Sequence, residues 1–183
     1  MVIAQGKRPK ITAINKEIEL ADDDLIVSKT DVTGKITYIN RTFMRISGFV
    51  EKELIGIQHN VIRHKDMPRG VFRKMWADLK DNKEFFGYVK NLCKDGSFYW
   101  VFANVTPDFD ESGNLRGYYS VRRKPGRQAV QLVESLYQKM REEEKQGDKK
   151  SAPDRSWRLV DQHLEKEAVS YNRFMVELDA NRE

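Results

Sequence analysis

One cysteine in 183 residues, Cys93, excludes two classes of protein at once. An internal disulfide needs a second thiol, and a cysteine-based metal cluster needs several. A chain without disulfides fits a reducing, intracellular setting. Long apolar runs are missing too: they are of the size of "LIV" at 25–27, far short of the roughly 20 residues a helix needs to cross a bilayer. The opening "MVIAQGKRPK" has neither an apolar h-region nor a small-residue cleavage site, so no secretory leader is expected. Charge of one sign is scarce as a block. The 33 basic and 28 acidic residues leave a net charge of +5, and the two signs interleave almost everywhere, with "RRK" at 122–124 the densest basic run. A nucleic-acid face concentrates Lys and Arg on one element, so no nucleic-acid partner and no direct membrane insertion are expected. Paired nucleophile and base motifs, phosphate-cradling glycine loops and paired carboxylates in an ordered element are likewise missing. The "ADDD" at 21–24 reads as a solvated turn, and the chain is not expected to be an enzyme.

What remains is a mixed pattern with 39% apolar and 33% charged residues. After a polar lead-in over 1–21, "LIVSKTD" and "KITYIN" read as strands joined by a turn that carries Asp31 and Gly34. "NRTFMRISGF" and "VEKELIG" read as short helices ending at Gly48 and Gly56. A helix running to about residue 80 starts near Pro68, and Val71, Phe72, Met75, Trp76 and Leu79 form its apolar stripe. Three strand patterns follow, "FFGYVKNLCKDG", "SFYWVFANVTPDFDESGN" and "LRGYYSVRRK", each pair separated by a Gly-bearing turn. This order implies an α+β domain over 22–124, a five-stranded antiparallel sheet with helices on one face. It closes near Pro125–Gly126, and a C-terminal helical extension follows over 127–183. That extension reads as two amphipathic helices, the second a heptad-like seam from Trp157 to Leu178, able to pack on the domain, on a partner or on a second copy of the chain.

The densest polar chemistry lies just before the central helix, in "QHNVIRHKDMPRGVFRKMW", which holds two of the three histidines. On the residues alone this is either a solvated loop, with Asp66 as an N-cap for the helix, or the polar rim of a pocket. Asn91 is an amide inside an apolar strand pattern and needs a partner if it points inward. His59 and His64 are five residues apart with no Cys beside them, which is poor spacing for zinc.

With these residues in this order, "ITYINRTFMRISGF", "ELIGIQHNVIRHKDMPRGVFRKMW", "GYVKNLCKDGSFYWVFANVTP" and "GYYSVRR", the chain resembles a PAS domain of the aerotaxis-receptor type. The similarity covers roughly residues 22–124, and "HNVIRHKDMP" is its diagnostic part. The resemblance implies the PAS fold, FAD held between sheet and helices, and reporting of redox or respiratory state to bacterial chemotaxis signalling. It carries over Arg63, His64, Asp66, Asn40, Asn91, Phe72, Trp76 and Trp100 as cofactor-binding positions. In that family a membrane anchor and a receptor domain follow the PAS domain. Residues 127–183 hold no apolar run long enough for such an anchor, so a cytoplasmic sensor acting on a separate, membrane chemoreceptor-like protein is expected. The alternatives are a cofactor-free PAS module that docks or dimerises through its C-terminal helices, and a haem-binding PAS sensor using one histidine.

Overall fold

The computed structural model describes residues 11–180. Five strands form one antiparallel sheet: β1 (Ile26–Asp31), β2 (Ile36–Ile39), β3 (Phe85–Leu92), β4 (Phe98–Phe109) and β5 (Leu115–Arg123). Their spatial order is β2-β1-β5-β4-β3. Three helices lie between β2 and β3, namely α1 (Arg41–Ser47), α2 (Glu51–Leu54) and α3 (Arg69–Lys80), with a 3-10 turn at His59–Ile62. Three more follow the sheet: α4 (Arg127–Glu144), α5 (Ala152–Lys166) and α6 (Tyr171–Ala180).

Strand alternation sorts the sheet residues onto two faces. In the observed register Asn91 pairs with Tyr99, Val105 with Ser120, Ala103 with Arg122, and Ser28 with Ser120, so these residues share one face. On that face Ile26, Phe43, Ile46, Phe49, Leu54, Tyr99 and Val101 belong to one apolar cluster under α1 and α2. The opposite face carries Tyr88, Trp100 and Phe102, and it is also covered. There Val130, Val133, Tyr137 and Met140 of α4 and Met175 of α6 pack in a second cluster, which the chain's own C-terminal helices complete. Burying each such large side chain contributes about 1.5–3 kcal/mol, which makes this face too apolar to stand in water. The C-terminal region therefore docks on its own domain.

That region forms three helices where the sequence pattern reads as two. The Trp157–Leu178 seam is interrupted at 167–170, where Ala168 takes φ 52° and the chain turns. The turn lets Tyr171 stack on Phe85 and meet Trp157 edge-on, at centroid distances of 5.6 and 4.9 Å. The free edge of β3 is covered by side chains. Asn172 accepts from the Phe86 amide and donates to the Glu84 carbonyl, while the Tyr137 hydroxyl donates to the Tyr88 carbonyl.

Asp66 is not the N-cap of α3, which is a correction to one reading of the sequence. The cap position is Pro68, which offers no side-chain acceptor. The Glu144 carboxylate of α4 takes that role instead, accepting from the amides of Arg69 and Gly70 at 3.0 and 2.8 Å.

Candidate functional site

A cavity of about 220 Å³ lies between α3 and the first face of the sheet. Phe72, Met75, Trp76 and Leu79 of α3 form one wall, a consequence of the stripe at helical spacing. Val89, Ala103 and Val105 form the floor, and Trp76 meets Tyr118 edge-on at 5.2 Å. Sites for drug-sized ligands run from about 300 to 1,000 Å³. The enclosed space therefore suits one ring system rather than a whole dinucleotide.

The polar lining distinguishes this cavity from an ordinary packing defect. Thr30 Oγ1, Ser120 Oγ and Arg122 Nη1 all belong to residues on its wall and are buried with no hydrogen-bond partner among the described residues, and the Asn91 amide beside them faces the Tyr99 hydroxyl. A buried polar atom left without a partner costs about 1–3 kcal/mol, so a cluster of three on one cavity marks a place shaped for something other than stability.

Arg122 is the extreme case. It is 5% exposed, and none of its described partners is a carboxylate. Its Nη2 donates to Ser28 Oγ at 2.9 Å and to His59 Nε2 at 2.8 Å. Because a guanidinium has no acceptor, His59 Nε2 must be the unprotonated nitrogen of a neutral imidazole. Burial first, and then the Arg122 charge, pushes His59 down to about 3. Burial likewise pulls Arg122 down to about 10. The ring of His59 stacks parallel to Phe43, at 6.2 Å.

Of the eight expected positions, Arg63, Phe72, Trp76 and Asn91 border this cavity. An isolated antiparallel bridge between Arg63 and Asn91 ties the polar block to the end of β3 and brings those two residues together. The Arg63 guanidinium lies 4.1 Å from the Phe72 ring and donates to the Met67 carbonyl. It borders a second, open groove as well, where Lys65, Arg69, Arg141 and Lys145 stand beside His64 and the carboxylates of Asp66 and Glu144.

The other four do not border the cavity, although His64 and Asp66 share the open groove with Arg63. His64 is buried beside Phe98, and its Nδ1 accepts from the Asp66 amide. Burial, only partly offset by the Asp66 charge, pushes it down to about 4. Asp66 turns to the edge of β3, where its carboxylate accepts from Lys90 Nζ and Arg141 Nη1, both at 3.0 Å. Burial opposes its ionisation, but the Lys90 hydrogen bond and the surrounding positive charge outweigh it and hold the carboxyl below its ordinary value. Asn40 caps α1 through Oδ1, which accepts from Phe43 and Val27, and its Nδ2 donates to the Leu25 carbonyl. Trp100 points to the opposite face of the sheet, against Tyr137 at 6.3 Å. Its place follows from strand parity, because its neighbours Tyr99 and Val101 occupy the cavity side.

Sequence reasoning did not single out Arg122, Ser28 or Ser120 as cavity residues, and it weighed His59 only as a metal ligand. Parity was the available signal: Ser120 and Arg122 alternate with Tyr119 and Val121 on β5.

Comparison with known proteins agrees with this architecture. A profile of the PAS fold matches residues 36–122. The aerotaxis receptor of Escherichia coli K12 is 42% identical over 132 residues, 72% of this chain and 26% of the receptor. A nitrogen fixation regulatory protein of Klebsiella pneumoniae is 29% identical over 97 residues, 53% of this chain and 20% of that protein. The chain thus spans about a quarter or less of these relatives. Among solved structures, a light-oxygen-voltage domain studied with a flavin analogue superposes with TM-score 0.53 at 19% identity, over 60% of this chain and 82% of that one.

Proposed function

Residues 36–122 form a PAS-fold domain of the aerotaxis-receptor type, and from that premise we propose that the chain is a redox sensor that holds a flavin, FAD, in the cavity beneath α3. The observation that carries this reading is the convergence of the unpartnered atoms of Thr30, Ser120 and Arg122, with the Asn91 amide beside them, on an aromatic-walled space. A flavin ring is flat and apolar on its faces and rimmed with donors and acceptors. The faces suit Phe72 and Trp76, and the rim suits the Asn91 amide and the hydroxyls. When bound, a flavin supplies one- and two-electron chemistry. The protein's contribution is electrostatic: Arg122, with no carboxylate among its described partners, favours negative charge on the ring edge it faces. His59 stays neutral and orients the guanidinium. Arg63, at the junction of cavity and open groove, is suited to a diphosphate through its planar fork, with Lys65 beside it, while Asp66 and Glu144 in the same groove hold Arg141 and the Arg69 amide.

In this reading residues 22–124 sense, and α4, α5 and α6 pass the change to a membrane chemoreceptor-like signalling protein in the cytoplasm, as expected for taxis towards favourable redox conditions. Among the described residues no helix is long and apolar enough to cross a membrane. Two features weigh against the alternatives. A module without a cofactor gains nothing from three unpaired polar atoms around one cavity. A haem ligand at His59 would need the nitrogen already bonded to Arg122, and His64 does not border the cavity and accepts from the Asp66 amide through Nδ1.

Titration of the full chain with riboflavin, FMN and FAD, followed by flavin fluorescence, tests the proposal. Binding is expected for all three, tightest for FAD. Asn91→Ala is expected to weaken it by about tenfold, the equivalent of one hydrogen bond to a buried group. Absence of binding by any of the three contradicts the proposal.

A further inference from the structure

The wall of the cavity formed by α3 is gripped from behind by the C-terminal helices, and we infer that α4 and α5 act as a latch whose hold on α3 and the occupancy of the cavity control each other. The inference deepens the flavin reading and rests on it for the identity of the ligand. The first amides of a helix need acceptors from outside it, and α3 receives none from its own N-cap residue. Glu144, at the end of α4, supplies both oxygens to Arg69 and Gly70, and the same carboxylate accepts from the Ser156 hydroxyl of α5 at 2.8 Å. One side chain therefore joins three helices.

Contact along the back of α3 is close enough to require glycine. A Cβ at Gly70 would stand 2.4 Å from Ser156 Oγ and 2.9 Å from the Pro153 carbonyl oxygen. One turn on, the Arg73 guanidinium donates to Asp154 of α5 at 3.0 Å. Phe72 and Trp76, on the other side of the same helix, line the cavity. A rigid helix in contact with both transmits displacement, and the coupling is reciprocal by linkage: what loosens the latch weakens ligand binding by the same factor by which ligand tightens the latch.

Hydrogen exchange on the full chain, with and without FAD as the probe, tests this with Glu144→Ala, Glu144→Gln and Gly70→Ala. The latch predicts faster exchange over residues 69–80 in Glu144→Ala and Gly70→Ala without ligand, at unchanged far-UV circular dichroism. Glu144→Gln, which keeps an acceptor oxygen, falls between these variants and the unmodified protein. FAD affinity drops about fivefold to tenfold in Glu144→Ala, and FAD slows exchange over 144–156 in the unmodified protein. If FAD binds and neither Glu144→Ala nor Gly70→Ala alters exchange in α3 or the affinity, the latch is overturned and the flavin reading stands. If FAD does not bind while both substitutions loosen α3, the latch stands and the flavin reading falls.

Discussion

Arg122 shows how one side chain can be costly for the fold and valuable for the site. A buried guanidinium hydrogen-bonded to a neutral imidazole and a hydroxyl retains most of its desolvation penalty. Replacing it with methionine, of similar length and without charge, is expected to leave thermal stability unchanged or raise it by about 1 kcal/mol. The same Arg122→Met change is expected to weaken flavin binding by at least about tenfold, since one charge-assisted bond contributes about 1.5–3 kcal/mol. Calorimetry and a fluorescence titration on the same preparation check both directions. In the sequence Arg122 stood only as the first residue of the basic run "RRK". Parity along β5 turns it inward and Arg123 outward, where Arg123 meets the buried Asp179 of α6. Asn91 was legible because an amide among apolar strand residues needs a reason. Arg63 was legible through the aerotaxis-type pattern, while the directions of His64 and Asp66 were not, since a loop has no parity to read.

At the level of elements, the sheet and the first three helices follow from alternation, glycine turns and the α3 stripe, all visible in sequence. Asn40 joins two of these elements. Its side chain caps α1 and also holds the backbone of Leu25 and Val27 beside β1. Asn40→Ala is expected to cost about 2 kcal/mol, one cap plus a stranded strand amide, measurable by urea denaturation. Its effect on flavin affinity follows from stability alone. The break between α5 and α6 was not legible, because the apolar spacing continues through it and no Gly or Pro marks the turn. Ala168 pays for the turn in backbone strain, with φ at 52°. Ala168→Gly removes that strain and is expected to stabilise the chain by about 0.5–1 kcal/mol, seen as a higher melting temperature.

For the whole molecule, two clusters on opposite faces of one sheet make the C-terminal helices part of the folded unit. Their amphipathic spacing was clear in sequence, but an amphipathic helix does not say which apolar surface it will find. Acid stability reports on both sides of the sheet. His59 and His64 are depressed from 6.5 to about 3 and about 4, so the folded state binds fewer protons than the unfolded one in that window. Stability is complete above pH 6.5 and falls as pH drops towards the folded values. For His64 the loss is about 2 kcal/mol by roughly pH 5, and melting curves of His64→Gln should lose that part of the slope. Asp66, depressed from 3.8, adds a further loss only below that value, as its bonds to Lys90 and Arg141 are protonated away.

The visible absorption spectrum of the freshly purified full chain, repeated after incubation with excess FAD and removal of the free cofactor, addresses the cavity most directly. Visible absorption bands of a bound oxidised flavin, lost in Arg122→Met, are the predicted result. A colourless protein in both preparations, or a spectrum that Arg122→Met leaves intact, would contradict the assignment of the cavity beneath α3 as the sensing site.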